Sequence, residues 1–228
     1  MTEKHNWDRC WEESPTVEFD FLTRLIFKEM EDSVSFRGRS VLELGCGTGR
    51  LSFLAMQSGA SEVTLVDSSH KAIGIAQQLF HGIENVEIIE GDFRSLQLDR
   101  SYDIVFSSGV VEHFTTGEIE EVVKLHQHYS RETVLTIVPA GPHYNNLRMK
   151  RSESIRLYGW QRPHTGYRMA NLFHGAGINV LINRKFYPLY AVPRVYSNQF
   201  LGSLFRPLER FIGGLLLTAG RVPASEFK

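Results

Sequence analysis

"VLELGCGTGR", residues 41–50, decides how this chain is read. Val41 to Leu44 form a short β-branched and leucine run that ends in Gly45, and Gly47 and Gly49 follow at every second position. Such a run, bounded by glycine, predicts a buried strand. The pattern of "RLSFLAMQSG" then predicts a helix that starts at Arg50 and closes at Gly59. Glycines at a strand-to-helix turn let the chain turn tightly and let a ligand approach main-chain atoms. Glu43 sets an acid beside that bend.

Outward from the bend the alternation repeats. "EVTLVD" (62–67), "NVEIIEGD" (85–92), "YDIVFSS" (102–108) and "TVLTIVP" (133–139) read as strands. "SSHKAIGIAQQLFHG" reads as a helix capped by Ser68 or Ser69 and ended by Gly82. Thr115 stands three residues before Glu118, the capping-box spacing, ahead of an amphipathic helix. In front, "TVEFDFLTRLIFKEME" carries Val17, Phe21, Leu22, Leu25 and Met30 at helical spacing after Pro15, which predicts a helix over 16–31. After Pro139, residues 141–165 are polar, basic and irregular; "GYRMANLFHGAG" returns to helix, "INVLINRKFY" to strand, and "GGLLLTAGRV" (213–222) is a last strand. Strands alternating with helices at this pitch predict a parallel sheet covered on both faces.

The totals narrow the classes. The 228 residues suit one sizeable α/β domain. Hydrophobic residues at 42% and charged residues at 22% are the balance of a folded globular chain. A formal net charge of −1 supplies no global basic field, so no nucleic acid is expected as a partner. Cys10 and Cys46, the two cysteines, form neither a CxxC pair nor a disulfide framework. The stretch MTEKHNWDRC is polar, and no apolar run approaches the roughly 18–20 residues that cross a bilayer, so the expected location is cytoplasmic.

A dinucleotide fingerprint, GxGxxG, fails because Arg50 occupies its sixth position, and no Gly-Lys-Ser/Thr closes a phosphate loop. What stands is E-x-G-x-G-x-G, Glu43 through Gly49. With the later strand ends, this motif resembles the class I S-adenosylmethionine-dependent methyltransferases. The resemblance covers residues 37–140 firmly and the rest loosely. It implies a doubly wound Rossmann-like methyltransferase fold, with a mostly parallel seven-stranded sheet and the last strand antiparallel. It also implies S-adenosylmethionine as cofactor and S-adenosylhomocysteine as product. Glu43, Gly45, Cys46, Gly47 and Gly49 would then take the methionine part, whose amino group suits an acid and whose lack of pyrophosphate explains the missing phosphate loop. Asp67, 18 residues beyond Gly49, would accept ribose hydroxyls, with Ser68 beside it. Gly91 and Asp92 would meet the adenine amine, Phe93 its ring, and Ser107, Ser108 and Gly109 the sulfonium end. Each has a plainer reading as a turn, a helix cap or a satisfied acid, and it is their conjunction at four strand ends that favours the ligand.

Methyl transfer from a sulfonium asks mainly for alignment and exclusion of water, plus a base if the acceptor holds a proton. His113 in "VVEHF" is the candidate base; the other reading is that it packs beneath its loop. No histidine pair has metal-ligand spacing, so a metal-independent reaction is expected. The place after the fourth strand reads "SSGV", without the tetrapeptide of amino-methylating DNA enzymes or a nucleophilic cysteine, and Glu112 stands without the second glutamate of protein arginine methyltransferases. Elimination leaves a small-molecule acceptor.

Its site is expected from a helical cap over 1–36 and an acceptor or lid region over 141–212, around a cofactor core at 37–140 and ahead of the last strand and tail at 213–228. Trp7 and Trp11, four apart, share a helix face, either to close over the cofactor or to anchor the helix. Between 145 and 168, Arg148, Lys150, Arg151, Arg156, Arg162 and Arg168 interleave with aromatics including Trp160, and Tyr144 precedes them. One reading is a lid that recognises a carboxylate, phosphate or lipid-linked acceptor; the other is a solvated loop. "FLGSLFRPLERFIGGLLL" (200–217) reads as a packed helix and strand or as a peripheral membrane contact. Two other classes stand against this reading, a non-catalytic S-adenosylmethionine-binding partner or regulatory subunit, and a nicotinamide-dependent oxidoreductase that Arg50 disfavours.

Overall fold

In a computed structural model of the chain, residues 5–13, 18–141, 152–187 and 213–224 are described. The order is α1 (Trp7–Glu13), α2 (Phe21–Glu31), β1 (Ser40–Leu44), α3 (Arg50–Gln57), β2 (Glu62–Asp67), α4 (His70–Leu79), β3 (Val86–Glu90) and β4 (Tyr102–Ser108). A 3₁₀ turn (Val111–His113) leads to α5 (Thr116–Tyr129), β5 (Ser130–Pro139), α6 (Ser152–Tyr158), α7 (Gly166–Gly175), β6 (Asn179–Phe186) and β7 (Leu215–Arg221). The strands form one sheet in the order β3-β2-β1-β4-β5-β7-β6, with β7 antiparallel to both of its neighbours. This is the doubly wound, mostly parallel fold that the alternation and the resemblance imply.

Side-chain alternation along the strands builds two cores. Val41, Val63, Leu65, Ile104, Phe106, Leu135 and Leu217 face one side, where Phe27 and Met30 of α2 and Leu54 and Ala55 of α3 cover them. Leu42, Leu44, Val66, Val105, Val134 and Leu216 face the other, under Ile119, Val122 and Val123 of α5 and Met169 and Phe173 of α7. All five residues of β1 are buried, as expected for a strand with helices on both faces.

Helix starts follow local chemistry. The Asp20 carboxylate accepts from Thr23 N at 2.7 Å, so α2 begins at Phe21 and not at Thr16, and residues 18–20 are non-helical. Pro15, Thr16 and Val17 lie outside the described residues. Thr115 and Glu118 close the expected capping box of α5. In the stretch expected to be irregular, α6 forms over 152–158. Its Arg156 reaches Glu13 of α1 with both guanidinium ends at 2.6 Å, an attachment across the fold that no local pattern announces. Among the described residues no helix is long and apolar enough to cross a membrane.

Candidate functional site

The carboxyl ends of the parallel strands open into a cleft of about 920 Å³. Its floor is the bend after β1. Gly45 N and Cys46 N both donate to Val66 O of β2, at 2.8 and 3.0 Å, which ties the loop to the neighbouring strand. Gly45, Gly47 and Gly49 all have φ between 54° and 75°, the left-handed region that glycine adopts without strain. Close approach adds to that requirement: a β-carbon at Gly45 would stand 2.5 Å from Val110 Cγ2, and one at Gly47 2.7 Å from the Trp11 ring.

Two carboxyl groups border this bend. Glu43 is 2% exposed and its Oε2 accepts from Ser52 Oγ at 2.6 Å and Ser52 N at 3.2 Å. Burial pushes its carboxyl up to about 8, against the Ser52 bonds, with the nearby Asp67 charge adding to the rise. Asp67, at the end of β2, accepts from Gly47 N at 2.7 Å and Ser69 N at 2.8 Å. Burial raises its carboxyl above the usual range even so. Arg50, the basic residue lining this end, turns away to Glu18 O at 2.8 Å and toward Asp20 at 3.9 Å.

Of the residues expected at the cofactor, Glu43, Gly45, Cys46, Gly47, Asp67 and Ser68 line the cleft together, as do Asp92, Phe93, Ser108 and Gly109. Three do not. Gly49 caps α3, and a β-carbon there would meet Leu65 at 2.9 Å and Phe80 at 3.0 Å, so its task is to pack the helix start onto β2 and the end of α4. Gly91 sits against Leu96 and donates its N–H to Asp67 O, joining two strand ends. Ser107 shares a strand face with Val105 beneath α5, where it hydrogen-bonds His126 Nε2 at 2.9 Å. That imidazole is completely buried, donates Nδ1 to Val122 O, and is held down to about 4 by burial.

Across the mouth lies α1. Trp11 rests on Gly47, and Trp7 meets His113 edge-on with 4.8 Å between ring centroids. Asp8 accepts from Ser69 Oγ at 2.6 Å and Lys71 N at 3.1 Å, a role the sequence did not announce because the partners are some sixty residues away. His113 lines the cleft with Nδ1 3.3 Å from Trp160 O and Nε2 4.0 Å from Glu112 Oε1. A carbonyl partner makes Nδ1 the protonated nitrogen and leaves the lone pair on Nε2. Trp160 also lines the cleft. Tyr144 and Arg148 lie outside the described residues, as does most of 200–217. Arg162, instead of facing the cleft, donates to Phe114 O and stacks on Trp160, with 5.1 Å to the ring centroid. Among the described residues no group of three His, Cys, Asp or Glu could hold a metal.

A glycine bend at the carboxyl edge of a doubly wound sheet, with an acid at the next strand end, stands where open α/β sheets bind their ligands. Residues 41–130 match the model of a methyltransferase domain. Over that stretch, which carries the glycine bend and Asp67, the chain is similar to the class I S-adenosylmethionine-dependent methyltransferases. It is 40% identical to a cypemycin N-terminal methyltransferase of Streptomyces over 88 residues, 39% of this chain and 35% of that protein. It is 35% identical to a mitochondrial ubiquinone biosynthesis O-methyltransferase of Schizosaccharomyces pombe over 104 residues, 43% of this chain and 35% of that protein. The chain thus spans about a third of the length of these relatives. The magnesium protoporphyrin IX methyltransferase of Synechocystis, solved with S-adenosylhomocysteine, shares the fold at a TM-score of 0.63 and 16% identity, over 94% of this chain and 92% of that one.

Proposed function

We propose that the protein transfers a methyl group from S-adenosylmethionine to an O, N or C atom of a small molecule. The observation that carries this reading is the pair of acids, Glu43 and Asp67, beside a bend whose glycines admit a ligand. Their carboxyl groups, Glu43 buried and Asp67 half-buried, disfavour a phosphate and favour a cationic ligand, because a nearby positive charge offsets the cost of ionising them. In the proposed complex Glu43 and the Gly45–Gly47 bend hold the amino-acid part, and Asp67 accepts from the sugar. When bound, the cofactor supplies a methyl on a sulfonium, already activated toward in-line displacement. The chain then has to align the acceptor and exclude water, and α1 with α6 roofs the cleft for that purpose.

We place the acceptor between Trp7, Trp160 and His113, with residues 1–36 and 141–212 as its cover around the cofactor core. His113 Nε2 takes the acceptor's proton where there is one to lose. An acidic acceptor would draw on Arg148, Lys150 and Arg151, since Arg156 and Arg162 are engaged with Glu13, Phe114 and Trp160. Supporting the choice of chemistry, the relatives' names include an N-terminal methyltransferase and an O-methyltransferase. The test is transfer from labelled S-adenosylmethionine across hydroxyl, amine and carboxylate compounds and fractionated metabolites. Turnover supports the enzyme; tight donor binding with no transfer to any fraction would make the chain a binding partner instead.

A further inference from the structure

The wall of the cleft beyond β3 differs from its glycine end. Asp92 follows β3 by two residues, and Arg94 folds back onto it with three donors. Arg94 N and Nε reach Asp92 Oδ1 at 3.1 and 3.0 Å, and Nη2 reaches Oδ2 at 2.6 Å. The guanidinium is itself pinned. It lies over the Phe114 ring, 5.2 Å from the centroid, and its Nη1 stands 3.5 Å from Glu118 Oε1 at the start of α5. Phe93 packs edge-on against the same Phe114, 6.0 Å between centroids. Asp92, Phe93, Arg94, Phe114 and Glu118 all line the cleft.

We infer that Arg94 is a positioning residue: it holds Asp92 as the acceptor for the exocyclic amine of a purine, and so makes the site select a 6-aminopurine over a 6-oxopurine. The inference rests on the methyltransferase reading and adds a determinant of cofactor specificity to it. A carboxylate held by a bidentate fork cannot turn without giving up charge-assisted bonds. Facing an amine it accepts an N–H; facing an oxo group it sets acceptor against acceptor, with neither satisfied. Arg94 cannot relieve that clash by swinging to the oxo oxygen, because Phe114 and Glu118 hold it. Freed from Arg94, Asp92 rotates out of the way and the oxo base is tolerated. The neighbouring cation also tempers the acid, so a neutral ring is accommodated here while the Glu43 and Asp67 end is left to a positive group.

Calorimetry with S-adenosylhomocysteine and its deaminated analogue, S-inosylhomocysteine, tests this on wild type, Arg94→Gln and Asp92→Asn. Wild type should prefer the adenosyl compound on the order of 100-fold. Arg94→Gln should shrink that ratio about tenfold or more, and adding it to Asp92→Asn should change the ratio no further. Arg94→Lys, which keeps the charge and loses the fork, should fall between and serves if Arg94→Gln does not fold. A weaker Arg94→Gln protein with an unchanged ratio would reduce Arg94 to a structural residue and overturn the inference. Equal binding of both compounds by wild type would overturn it while sparing the methyltransferase reading. Binding of neither would end both.

Discussion

The floor of the cleft and its roof are held by different forces. The floor, from β1 through the glycine bend to Asp67, is tied by main-chain bonds to the adjacent strand and by amides to the half-buried Asp67 carboxyl. The roof, α1, is held by its side chains: half-buried Asp8 on Ser69 and Lys71, exposed Glu12 on Lys71 and Glu13 on Arg156, and the packing of Trp7, Cys10 and Trp11. Buried backbone bonds resist opening, whereas exposed ion pairs contribute little and are screened by salt. We propose that the floor stays fixed while the roof opens, the arrangement a cleft needs if its ligand must enter and then be shielded from water.

The floor should be the expensive part to damage. Gly49→Ala puts a β-carbon on a φ of 75° and within 3.0 Å of Leu65 and Phe80. It should cost about 2–5 kcal/mol of stability by left-handed strain and overpacking, read in chemical denaturation. Unchanged stability would mean the bend is softer than its contacts imply. Asp67→Ala removes the anchor of the Gly47 and Ser69 amides together with the proposed sugar acceptor. Affinity for S-adenosylhomocysteine should fall by roughly 1–3 kcal/mol.

Glu43 makes the floor sensitive to pH. Its carboxyl ionises near 4.5 when exposed and is pushed up to about 8 by burial, so the folded protein holds a proton there at neutral pH. The folded state therefore binds more protons than the unfolded one between those values. The associated stability is fully present below about 4.5 and is lost as pH rises through 8. A cation arriving beside Glu43 should expel the proton. Affinity should then climb with pH between 6 and 8, by at most about tenfold per unit, and the calorimetric heat should depend on the buffer's ionisation enthalpy. Glu43→Gln should abolish both effects; a buffer-independent heat in wild type would place the positive group elsewhere.

The smallest effect belongs to the roof. Glu13 is held well below the usual carboxylate range, at about 2, by Arg156 and Arg9, yet it lies on the surface. Glu13→Gln should leave the melting temperature within error and raise the rate of ligand exchange in stopped-flow tryptophan fluorescence through Trp7 and Trp11. A large drop in melting temperature would make α1 part of the core and erase the contrast.

The same contrast explains what the sequence made legible. β2 and β4 match their expected spans residue for residue, because a buried strand between turn residues is a local pattern. The cluster of Glu43, Gly45, Gly47 and Asp67 was legible because strand ends converge in this topology. Ser107 was misplaced by one step of strand alternation, which turns it under α5 while Ser108 lines the cleft. The start of α2 moved because Asp20, not Pro15, supplies the cap. Asp8, the Glu13–Arg156 pair and the pinning of Arg94 by Phe114 and Glu118 depend on contacts between distant segments, and nothing in the local pattern carries them.

The measurement closest to the central claim is a calorimetric titration of the whole chain with S-adenosylhomocysteine and, separately, with NAD. Micromolar binding of the first, weakened by Asp67→Ala, and no binding of the second is the predicted result. Binding of NAD without S-adenosylhomocysteine, or an affinity indifferent to Asp67, would contradict it.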